Sequence, residues 1–452
     1  MTRDQTDRKA GAAALREVEA MLATRWPESR IEPSLERIHD LVDLLGNPQH
    51  AIPVVHIGGT NGKTSTARLA DELLRELGLR TGRFTSPHLE SITERICLDG
   101  EPLEAGRFAD VYAEVAPYLR LVDSRHDIRL SFFEVLTAMA FAAFADAPVD
   151  AALVEVGLGG SWDATNVADG RVAVVAPISV DHTEYLGDTI EEIATEKAGI
   201  IKPGSFVVLA SQTEAAAEVL LRRSAEVGAT IAREGLEFGV RTREVAVGGQ
   251  LLSFDGLAGH YDEVFLPLHG AHQAQNAAAA LAAVEAFLGG GRDALDPDAV
   301  RAAFARAGSP GRLEVLRRSP TVLVDAAHNP AGARALADAL TDEFAFGSLV
   351  AVVAALRDKD VRGILEALEP VVEAIVATEN SSPRALAGDV LARMALEVLG
   401  EGRVRRAATL PDAIEVAVAL AERDAPMGGG GVVVTGSVVT AGDARRLLRG
   451  RA

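Results

Sequence analysis

Short apolar runs alternate with helical patterns along most of the chain. The runs "IPVVHI" (52–57), "AALVEV" (151–156) and "VAVVAPI" (172–178) are mainly apolar, as is typical of strands buried on both faces of a sheet. The segments between them, 65–77 and 132–147, carry apolar residues at the spacing of helices. This alternation predicts an α/β fold built on a parallel sheet.

The alternation is interrupted once and then restarts. The Gly/Pro-containing segment "AGSPGRLEVL" (307–316) has the composition of a connector, and the later runs "TVLVDA", "SLVAVVA", "AIVAT" and "GVVVTG" again resemble strands separated by helices. We therefore predict a first domain over residues 1–306, a connector over 307–316, and a second, smaller α/β domain over 317–452. The N-terminal stretch 1–22 predicts an amphipathic helix rather than a signal peptide.

Composition and charge narrow the classes of function. The chain has 452 residues, 48% of them hydrophobic and 24% charged, and its formal net charge is −20. A protein this acidic is a poor candidate for binding nucleic acid or an anionic membrane surface, and its apolar runs are too short to span a bilayer. Its single cysteine, Cys97, cannot form an intrachain disulfide, which fits a reducing compartment. We expect a cytoplasmic monomer that handles small molecules.

The stretch "HIGGTNGKTSTARL" (56–69) has the features of a phosphate-binding loop. It departs from the common G-x-x-x-x-G-K-[ST] pattern because Ile57 stands where the first glycine belongs, so the loop is one residue shorter. Its glycines allow the backbone N–H groups to turn toward an anion, Lys63 adds a cation, and Thr64 and Ser65 open a helix. A plain glycine turn before a capped helix is the alternative. The preceding strand and the following helix favour a nucleotide site.

The segment "GTNGKTS" (59–65) resembles the phosphate loop of the ATP-dependent Mur ligase superfamily. The rest of the chain resembles the folylpolyglutamate synthase branch, whose motifs follow here in order: "TSPHLESITERI" (85–96), "SFFE" (131–134), "VEVGLGGSWDATN" (154–166), "ISVDHTEYLGDTIEEIATEKAGIIKPG" (178–204), "QNAAAALAA" (275–283), "GRLE" (311–314), "DAAHNP" (325–330) and "VTGS" (434–437). Because the resemblance runs from about residue 33 to the C-terminus, it is far more specific than any single motif. The chain is identified as a member of this family, of the bacterial bifunctional type.

The resemblance implies a fold and a reaction. The fold would be an N-terminal doubly wound parallel-sheet ATPase domain of the phosphate-loop type, followed by a smaller Rossmann-like domain of the glutamate-ligase type. The reaction would add L-glutamate to dihydropteroate, to the γ-carboxylate of folates, or to both. ATP would be the co-substrate, with two Mg²⁺ ions, and an acyl phosphate would be the intermediate. The protein would contribute mainly positioning and charge neutralisation.

The resemblance also implies which residues contact ATP. Asn276 matches an adenine-side contact and Arg312 a phosphate contact. Lys63 and His328 would be catalytic: the lysine stabilises the transferred charge, and the histidine orients or deprotonates the amine. ATP ligands in both predicted domains imply that closure completes the site. The full ATP set is Gly59, Thr60, Asn61, Gly62, Lys63, Thr64, Ser65, Asn276, Arg312 and Asp325.

A metal site is implied by residues that correspond to the family's ligands. Glu155, at the end of a predicted strand, supplies the carboxylate oxygen that Mg²⁺ prefers, and Ser86, His182 and Thr64 would complete the shell. Lys197 corresponds to a carbamylated lysine, which carries negative charge, supports a second metal ion and counts among the catalytic residues. The alternative for Lys197 is an exposed helix lysine near two glutamates.

The pterin side of the substrate is implied to contact Ser131, Phe132, Phe133 and Glu134, although phenylalanines at a helix start commonly belong to the core. Trp162 is also placed there. The sequence departs from the family at this point, because Ser161-Trp162 stands where Arg-Leu usually precedes "DATN". The contact that an arginine would make is therefore lost or replaced.

Two other functions compete with this interpretation. A cell-wall Mur ligase would share the phosphate loop, but only about 50 residues precede that loop, and "SPHL…TERI" points to the folate branch. A non-catalytic ATP-binding module would explain the loop alone and would leave Glu155, His182, Lys197 and His328 without a role.

Overall fold

The computed structural model describes residues 3–27, 32–424 and 429–450. The first two positions of the predicted N-terminal helix and the last two of the predicted second domain lie outside this range. The chain divides into two compact units. Unit 1 comprises Met1–Glu244, Leu251–Leu266 and Ala274–Ala307, whereas unit 2 comprises Val245–Gln250, Pro267–Gln273 and Gly308–Ala452.

Eleven strands and ten α-helices precede Gly308, where the last segment of unit 2 begins, in the described part of the chain. The strands are β1 Val54–Gly58, β2 Thr81–Phe84, β3 Ile96–Leu98, β4 Glu101–Pro102, β5 Ala151–Glu155, β6 Gly170–Val175, β7 Phe206–Leu209, β8 Thr230–Arg233, β9 Gly239–Ala246, β10 Gly249–Asp255 and β11 His260–Leu266. The helices are α1 Arg3–Ala23, α2 Glu36–Leu44, α3 Lys63–Glu76, α4 Ala105–Asp123, α5 Phe132–Asp146, α6 Thr183–Leu186, α7 Ile190–Lys197, α8 Glu214–Glu226, α9 Ala271–Gly289 and α10 Pro297–Ala305.

An eight-stranded sheet forms the centre of unit 1, in the order β4-β3-β2-β5-β1-β6-β7-β8. The strands from β2 through β5, β1, β6 and β7 to β8 pair in parallel, and β3 and β4 add an antiparallel edge. Apolar residues of β1, β2 and β5 pack on α1, α2, α4 and α5, and apolar residues of β6 and β7 pack on α7 and α8. β1 lies between β5 and β6, so the carboxyl ends of these three strands meet at one edge. That edge is where ligands bind in open α/β sheets.

A second, three-stranded sheet, β11-β10-β9, was not predicted from the sequence. Most positions of β9 are exposed or half-buried, so this strand lacks the continuous apolar run of a buried parallel strand. The short turn between β9 and β10 contains Gly248, whose φ of 80° is the local signal of a hairpin.

The last segment of unit 2 carries a second parallel sheet. Its strands are β12 Glu314–Arg318, β13 Thr321–Val324, β14 Ser348–Val353, β15 Ala374–Ala377, β16 Val404–Arg406 and β17 Gly430–Thr435, in the order β12-β13-β17-β14-β15-β16. The helices are α11 Pro330–Glu343, α12 Val361–Leu368, α13 Gly388–Leu399, α14 Leu410–Asp424 and α15 Val438–Arg449. Only β12 pairs antiparallel among these described strands.

The predicted fold class is confirmed, because both units are built on mainly parallel sheets flanked by helices. None of the helices within the described residues is both long and apolar enough to cross a lipid bilayer.

Candidate active site

The candidate phosphate loop lies between β1 and α3, at the carboxyl edge of the first sheet. Gly59 and Gly62 have φ values of 124° and 90°, in the left-handed region that favours glycine. A Cβ atom at Gly59 would lie 2.6 Å from the carbonyl oxygen of Ala176, and one at Gly62 would collide with the Asn276 side chain. Both glycines are therefore required for the close approach of the loop to its neighbours.

The loop holds its shape through internal hydrogen bonds. The N–H groups of Thr60 and Asn61 both donate to the carbonyl oxygen of Pro177, at 3.0 and 3.3 Å. The Lys63 ammonium donates to the carbonyl oxygens of Gly59 and Thr60, at 3.2 and 3.1 Å. No side-chain cap covers the start of α3. The first N–H groups of this helix, rather than those of the loop itself, are thus the donors suited to an anion.

Glu155 connects the loop to the neighbouring strand. It ends β5, and 2% of its surface is exposed. The Thr64 hydroxyl lies 2.9 Å from each of its two carboxylate oxygens, and the Ser86 N–H donates to one of them at 3.3 Å. Thr64 and Ser86, which are far from Glu155 in the sequence, therefore converge on its buried carboxylate beside the phosphate loop.

The donor atoms at this point fit a hard divalent cation. A carboxylate and two hydroxyl-bearing side chains offer the oxygen ligands that Mg²⁺ prefers. No three His, Cys, Asp or Glu side chains converge as a metal site in the described part of the chain. The predicted set does not depend on such a cluster, because most of its members are hydroxyl groups and a modified lysine.

His182 lies in the loop after β6, immediately before the short helix α6. Its φ of 54° places it in the left-handed region, and its N–H donates to the Asp181 carboxylate at 2.9 Å. The Nε2 atom lies 3.9 Å from the same carboxylate, and 39% of the imidazole is exposed. His182 is therefore a partly exposed side chain with an acidic neighbour, on a loop that leaves the same sheet edge as Glu155.

Lys197 is buried, so the alternative of an exposed helix lysine is wrong. It ends α7 with only 4% of its surface exposed. Burial, reinforced by the nearby charge of Lys63, lowers the pKa of its amine from 10.5 to about 7, although Asp181 and Asp163 act in the opposite direction. An amine with a pKa of about 7 is about half neutral at pH 7, and the neutral amine is the nucleophilic form that reacts with CO₂.

A glycine-rich segment covers the end of α7. A Cβ atom at Gly160 would lie 2.6 Å from the carbonyl oxygen of Glu196 and 2.9 Å from the Cα atom of Lys197. The N–H of Ser161 donates to the Glu196 carboxylate at 2.8 Å, and its hydroxyl donates to the Glu196 carbonyl at 3.0 Å. These two hydrogen bonds connect Ser161 to Glu196, the residue before Lys197. The half-buried indole of Trp162 packs on the apolar cluster beneath α7.

The sequence did not single out Asp163, which organises this segment. Its buried carboxylate accepts hydrogen bonds from the N–H groups of Leu158 and Thr165, at 2.9 and 3.0 Å, and from the Thr165 hydroxyl. The same hydroxyl lies 2.9 Å from Nε2 of His56 in β1. Burial raises the pKa of Asp163 and lowers that of His56 to about 3. The motif "DATN" (163–166), which begins with this residue, is the sequence feature that could have pointed to Asp163.

The predicted pterin segment opens α5 with a reciprocal cap. The Ser131 hydroxyl accepts from the N–H of Glu134 at 3.2 Å, and the Glu134 carboxylate accepts from the N–H of Ser131 at 2.7 Å. Glu134 also pairs with Arg37, at 3.1 Å, in a buried ion pair. These contacts give Ser131 and Glu134 a clear structural role.

The two phenylalanines of this segment differ in their surroundings. Phe133 packs between the Phe84 ring, with centroids 5.6 Å apart, and the backbone of Gly157. The guanidinium of Arg95 lies 5.1 Å from the centre of the Phe132 ring, and Arg95 also donates to His88 at 2.9 Å. Both half-buried rings pack against the core cluster of unit 1, and Phe132 differs from Phe133 in having a buried guanidinium beside it.

Asp325, a predicted ATP contact of unit 2, holds the backbone next to a second one, Arg312. Asp325, directly after β13, accepts from the N–H groups of Leu313 and Ala327, at 2.9 and 2.8 Å. It thereby fixes the residue that follows Arg312. His328 makes a hydrogen bond from Nδ1 to the Ala326 carbonyl at 3.0 Å. Because a carbonyl oxygen only accepts, the neutral ring carries its proton on Nδ1 and its lone pair on Nε2.

Two models of known protein families match separate parts of this chain. The Mur ligase middle domain matches residues 118–284, and the glutamate ligase domain of Mur ligases matches residues 311–438. A dihydrofolate synthase/folylpolyglutamate synthase of Mycobacterium tuberculosis is 54% identical over 458 residues, which cover 96% of this chain and 94% of that protein. The chain belongs to the folylpolyglutamate synthase family of the Mur ligases.

Solved structures of this family agree with the fold. The Mycobacterium tuberculosis folylpolyglutamate synthase complexed with ADP and AMPPCP superimposes with a TM-score of 0.92 at 54% identity, covering 97% of this chain and 99% of that one. Escherichia coli FolC in complex with DHPP and ADP gives a TM-score of 0.82 at 32% identity, covering 93% and 94%.

Family membership decides between the functions that the sequence left open. The chain is an ATP-dependent ligase of the carbon–nitrogen class, as predicted. The folate-branch relative matches nearly its whole length, so the alternatives of a cell-wall ligase and of a non-catalytic module are not supported. In this chain, Ser161, at the position where the resemblance led us to expect an arginine, bonds to Glu196.

Proposed function

We propose that this ligase adds L-glutamate both to dihydropteroate, forming dihydrofolate, and to the γ-carboxylate of folates. Support comes from the Mycobacterium tuberculosis relative, which is named for both activities, and from the Escherichia coli relative, which was solved with DHPP and ADP. The structural observation that carries the proposal is the convergence of Thr64 and Ser86 on the buried carboxylate of Glu155, beside the phosphate loop.

The reaction would proceed in two balanced steps. A carboxylate oxygen of the substrate attacks the γ-phosphorus of ATP, and the bond to the β-phosphate oxygen breaks, releasing ADP. The amine of glutamate then attacks the acyl carbon, loses a proton and expels phosphate, which keeps the oxygen that first attacked. The protein needs to hold the reactants in line and to neutralise charge on the transferred phosphoryl group.

Unit 1 would bind the phosphates of ATP. The uncapped N-terminus of α3 presents N–H groups and the positive end of a helix dipole to an anion. Lys63 at present donates to two loop carbonyls, and a phosphate would compete for the same three ammonium protons. We therefore assign Lys63 to charge neutralisation during phosphoryl transfer. Asn276 lies against Gly62, so its amide would act near the phosphate loop.

Magnesium would be held by Glu155 with the hydroxyl groups of Thr64 and Ser86, together with His182 and Lys197. When bound, it supplies positive charge that offsets the charge of the phosphates. Lys197 would act as a carbamate, since its buried amine has a pKa of about 7 and lies close to the charge of Lys63. Carbamylation would replace a repulsive cation with an anion.

The remaining site residues receive roles that their contacts suggest. His328 would orient or deprotonate the amine of glutamate through Nε2, because Nδ1 already donates to Ala326. Arg312 would contact a phosphate. Phe132, with Arg95 over its ring, is the better candidate for a pterin contact, whereas Phe133, Ser131 and Glu134 would support it from the core.

We also propose that residues 1–306 form the ATP- and folate-binding domain, that 307–316 connect the domains, and that 317–452 form the glutamate-ligase domain. The match of the two Mur ligase patterns to 118–284 and 311–438 supports this division. We also propose that the protein is a cytoplasmic monomer; its single, buried cysteine agrees with a reducing compartment and does not bear on the oligomeric state. Light scattering of the purified protein will measure the molar mass in solution, and a dimer mass would refute the monomer.

The proposed function is tested by ADP release in a coupled assay. The panel contains dihydropteroate, tetrahydrofolate and a muramoyl nucleotide, each with and without glutamate, at saturating ATP and Mg²⁺. We expect glutamate-dependent ADP release with dihydropteroate and with tetrahydrofolate, and none with the muramoyl nucleotide. Release with tetrahydrofolate alone would remove the dihydrofolate synthase activity, and release with the muramoyl nucleotide alone would refute the proposed function.

A further inference from the structure

The backbone around Arg312 is fixed at every neighbouring position. Gly311 donates its N–H to the Glu314 carboxylate at 2.8 Å, and its carbonyl accepts from the N–H of Ala326 at 2.8 Å. Arg312 donates its own N–H to Ser309 at 3.1 Å. The following residue, Leu313, has a φ of 43° and is held by Asp325.

The Arg312 side chain extends from this hydrogen-bonded backbone. The guanidinium of Arg312 is half-buried and makes no hydrogen bond or ion pair within the described parts of the chain. A left-handed, non-glycine residue such as Leu313 is strained, and such strain persists only where surrounding contacts fix it. These contacts therefore fix the backbone from which the Arg312 side chain extends.

Two arginines of the C-terminal helix complete the support. Arg445 donates from Nε to both oxygens of Glu314, at 2.8 and 3.1 Å, and Arg449 donates to one of them at 2.7 Å. These arginines are four residues apart in α15, so they lie on the same face of the helix. Arg445 is buried, with 8% of its surface exposed, whereas the side chain of Arg449 is 57% exposed.

Glu314 accepts at once from the connector and from α15. Its carboxylate takes the N–H of Gly311 on one side and the two guanidinium groups on the other, with 16% of the side chain exposed. Without Arg445, a mostly buried carboxylate would lose its principal countercharge and would turn toward water. The hydrogen bond to Gly311 would then be lost, and with it one of the constraints on Arg312.

We propose that Arg445 is a positioning residue for the ligase reaction, acting through Glu314 and Gly311 to orient Arg312 toward a phosphate of ATP. This inference rests on the proposed role of Arg312. The helix α15 lies at the end of the chain, and no motif that we identified includes it. According to this proposal, α15 takes part in nucleotide recognition as well as in packing.

A double-mutant cycle tests this proposal on the full-length protein. The catalytic efficiency kcat/KM for ATP is measured for the wild type, Arg312→Ala, Arg445→Ala and the double variant. Misplacement of a binding group costs up to about 100-fold, so we expect Arg445→Ala to lower this efficiency by about ten- to 100-fold. In the Arg312→Ala background the same change should add less than about twofold, since coupled residues are not additive.

The matched control is Arg446→Ala. Arg446 is the next residue of α15, is half-exposed, and pairs with Asp443 on its own helix. Its loss should leave kcat/KM for ATP unchanged while removing an ion pair of the same type. If Arg445→Ala fails to fold, Arg449→Ala removes only the exposed donor and should give a smaller loss, again absent in the Arg312→Ala background.

The outcomes are distinguishable. If the effects of Arg445→Ala and Arg312→Ala multiply fully, or if Arg445→Ala leaves kcat/KM for ATP at the wild-type value, Arg445 does not act through Arg312 and the proposal is overturned. If Arg312→Ala itself has no effect while the wild type makes dihydrofolate, the role of Arg312 is wrong although the proposed function stands. Absence of ligase activity in the wild type would refute the proposed function directly.

Discussion

The hydroxyl of Thr64 lies 2.9 Å from each carboxylate oxygen of Glu155, and this contact joins the start of α3 to the end of β5. The two residues are separated by 91 positions in the sequence, so the contact depends on the parallel pairing of β1 and β5. It places a buried negative charge next to the helix terminus that would bind phosphate. A buried carboxylate at an anion site makes physical sense when a cation binds there too.

Replacing Glu155 with glutamine tests the proposed cation site. The amide can still accept a hydrogen bond from Thr64, so Glu155→Gln should fold, but it removes the charge that attracts Mg²⁺. We expect the turnover to fall by about 10²–10³, with a higher Mg²⁺ concentration needed for half-maximal rate. Initial rates across a magnesium titration measure both quantities. The control is Glu218→Gln, at a side chain that is 76% exposed on α8, and it should behave as the wild type. An unchanged magnesium dependence for Glu155→Gln would contradict the assignment.

Lys63→Ala should abolish amide synthesis without unfolding the protein. The ammonium of Lys63 donates to the carbonyl oxygens of Gly59 and Thr60, and these polar contacts lie in the loop rather than in the apolar core, so its loss should cost little packing. Removing one preorganised electrostatic donor typically lowers a rate by about 10²–10³. Single-turnover rates and the thermal midpoint are measured together, with Lys9→Ala, on the exposed side of α1, as the control. Near-normal turnover by a folded Lys63→Ala variant would refute the nucleotide loop.

The phosphate loop could be predicted from the sequence because its requirements are local. Glycines at 59 and 62 reach left-handed φ values that other residues avoid, and the strand and helix around them have clear periodicity. The position of Glu155 could be predicted as well, because it ends a parallel strand and ligands bind at the carboxyl ends of the strands in such sheets.

Other features depend on contacts that no local pattern records. The local pattern alone does not predict the burial of Lys197, because two glutamates in the first turn of α7 suggest a solvated helix; only the family resemblance implied a lysine within the site. The covering segment at Gly160 and Ser161 arrives from a distant part of the chain. The sheet of β9, β10 and β11 was missed because β9 is mostly exposed and lacks an apolar run. The support of Glu314 by α15 likewise joins residues 131 positions apart.

The carbamylation of Lys197 has a pH dependence with a definite sign. Its amine has a pKa of about 7, so the neutral, CO₂-reactive form increases as the pH rises through 7 and decreases as the pH falls below it. At a fixed concentration of dissolved CO₂, the carbamate and the ligase activity should both rise from pH 6 to pH 8. The intact mass after trapping the carbamate, and the initial rate, are measured at each pH.

The variant Lys197→Ala separates modification from packing. It should lose activity, and a short carboxylate such as acetate should restore part of it by supplying the missing negative charge. Lys197→Met, which fills the buried space without a charge, should remain inactive and should respond less to acetate. A fully active alanine variant, or activity that does not depend on dissolved CO₂ at any pH, would rule out the carbamate.

His328→Ala should impair turnover more than nucleotide binding. The Nδ1 atom of His328 donates to Ala326, so Nε2 is the atom that would meet the amine. ATP affinity by calorimetry should change less than about threefold, whereas kcat should fall by about 10²–10⁴, the usual range for an acid–base group. His328→Gln, which retains a hydrogen-bonding end group but cannot take up a proton near pH 7, should be nearly as slow. Loss of ATP affinity with normal turnover at saturation would remove His328 from the chemistry.

The most direct test follows an oxygen atom through the reaction. Dihydropteroate labelled with ¹⁸O in its carboxylate is incubated with glutamate, ATP, Mg²⁺ and the wild-type protein, and the products are analysed by mass spectrometry. We expect dihydrofolate that retains one labelled oxygen in the new amide, inorganic phosphate that carries the other, and unlabelled ADP. Unlabelled phosphate formed alongside dihydrofolate, or labelled AMP in place of ADP, would contradict the acyl phosphate. Failure to form any dihydrofolate would contradict the proposed dihydrofolate synthase activity.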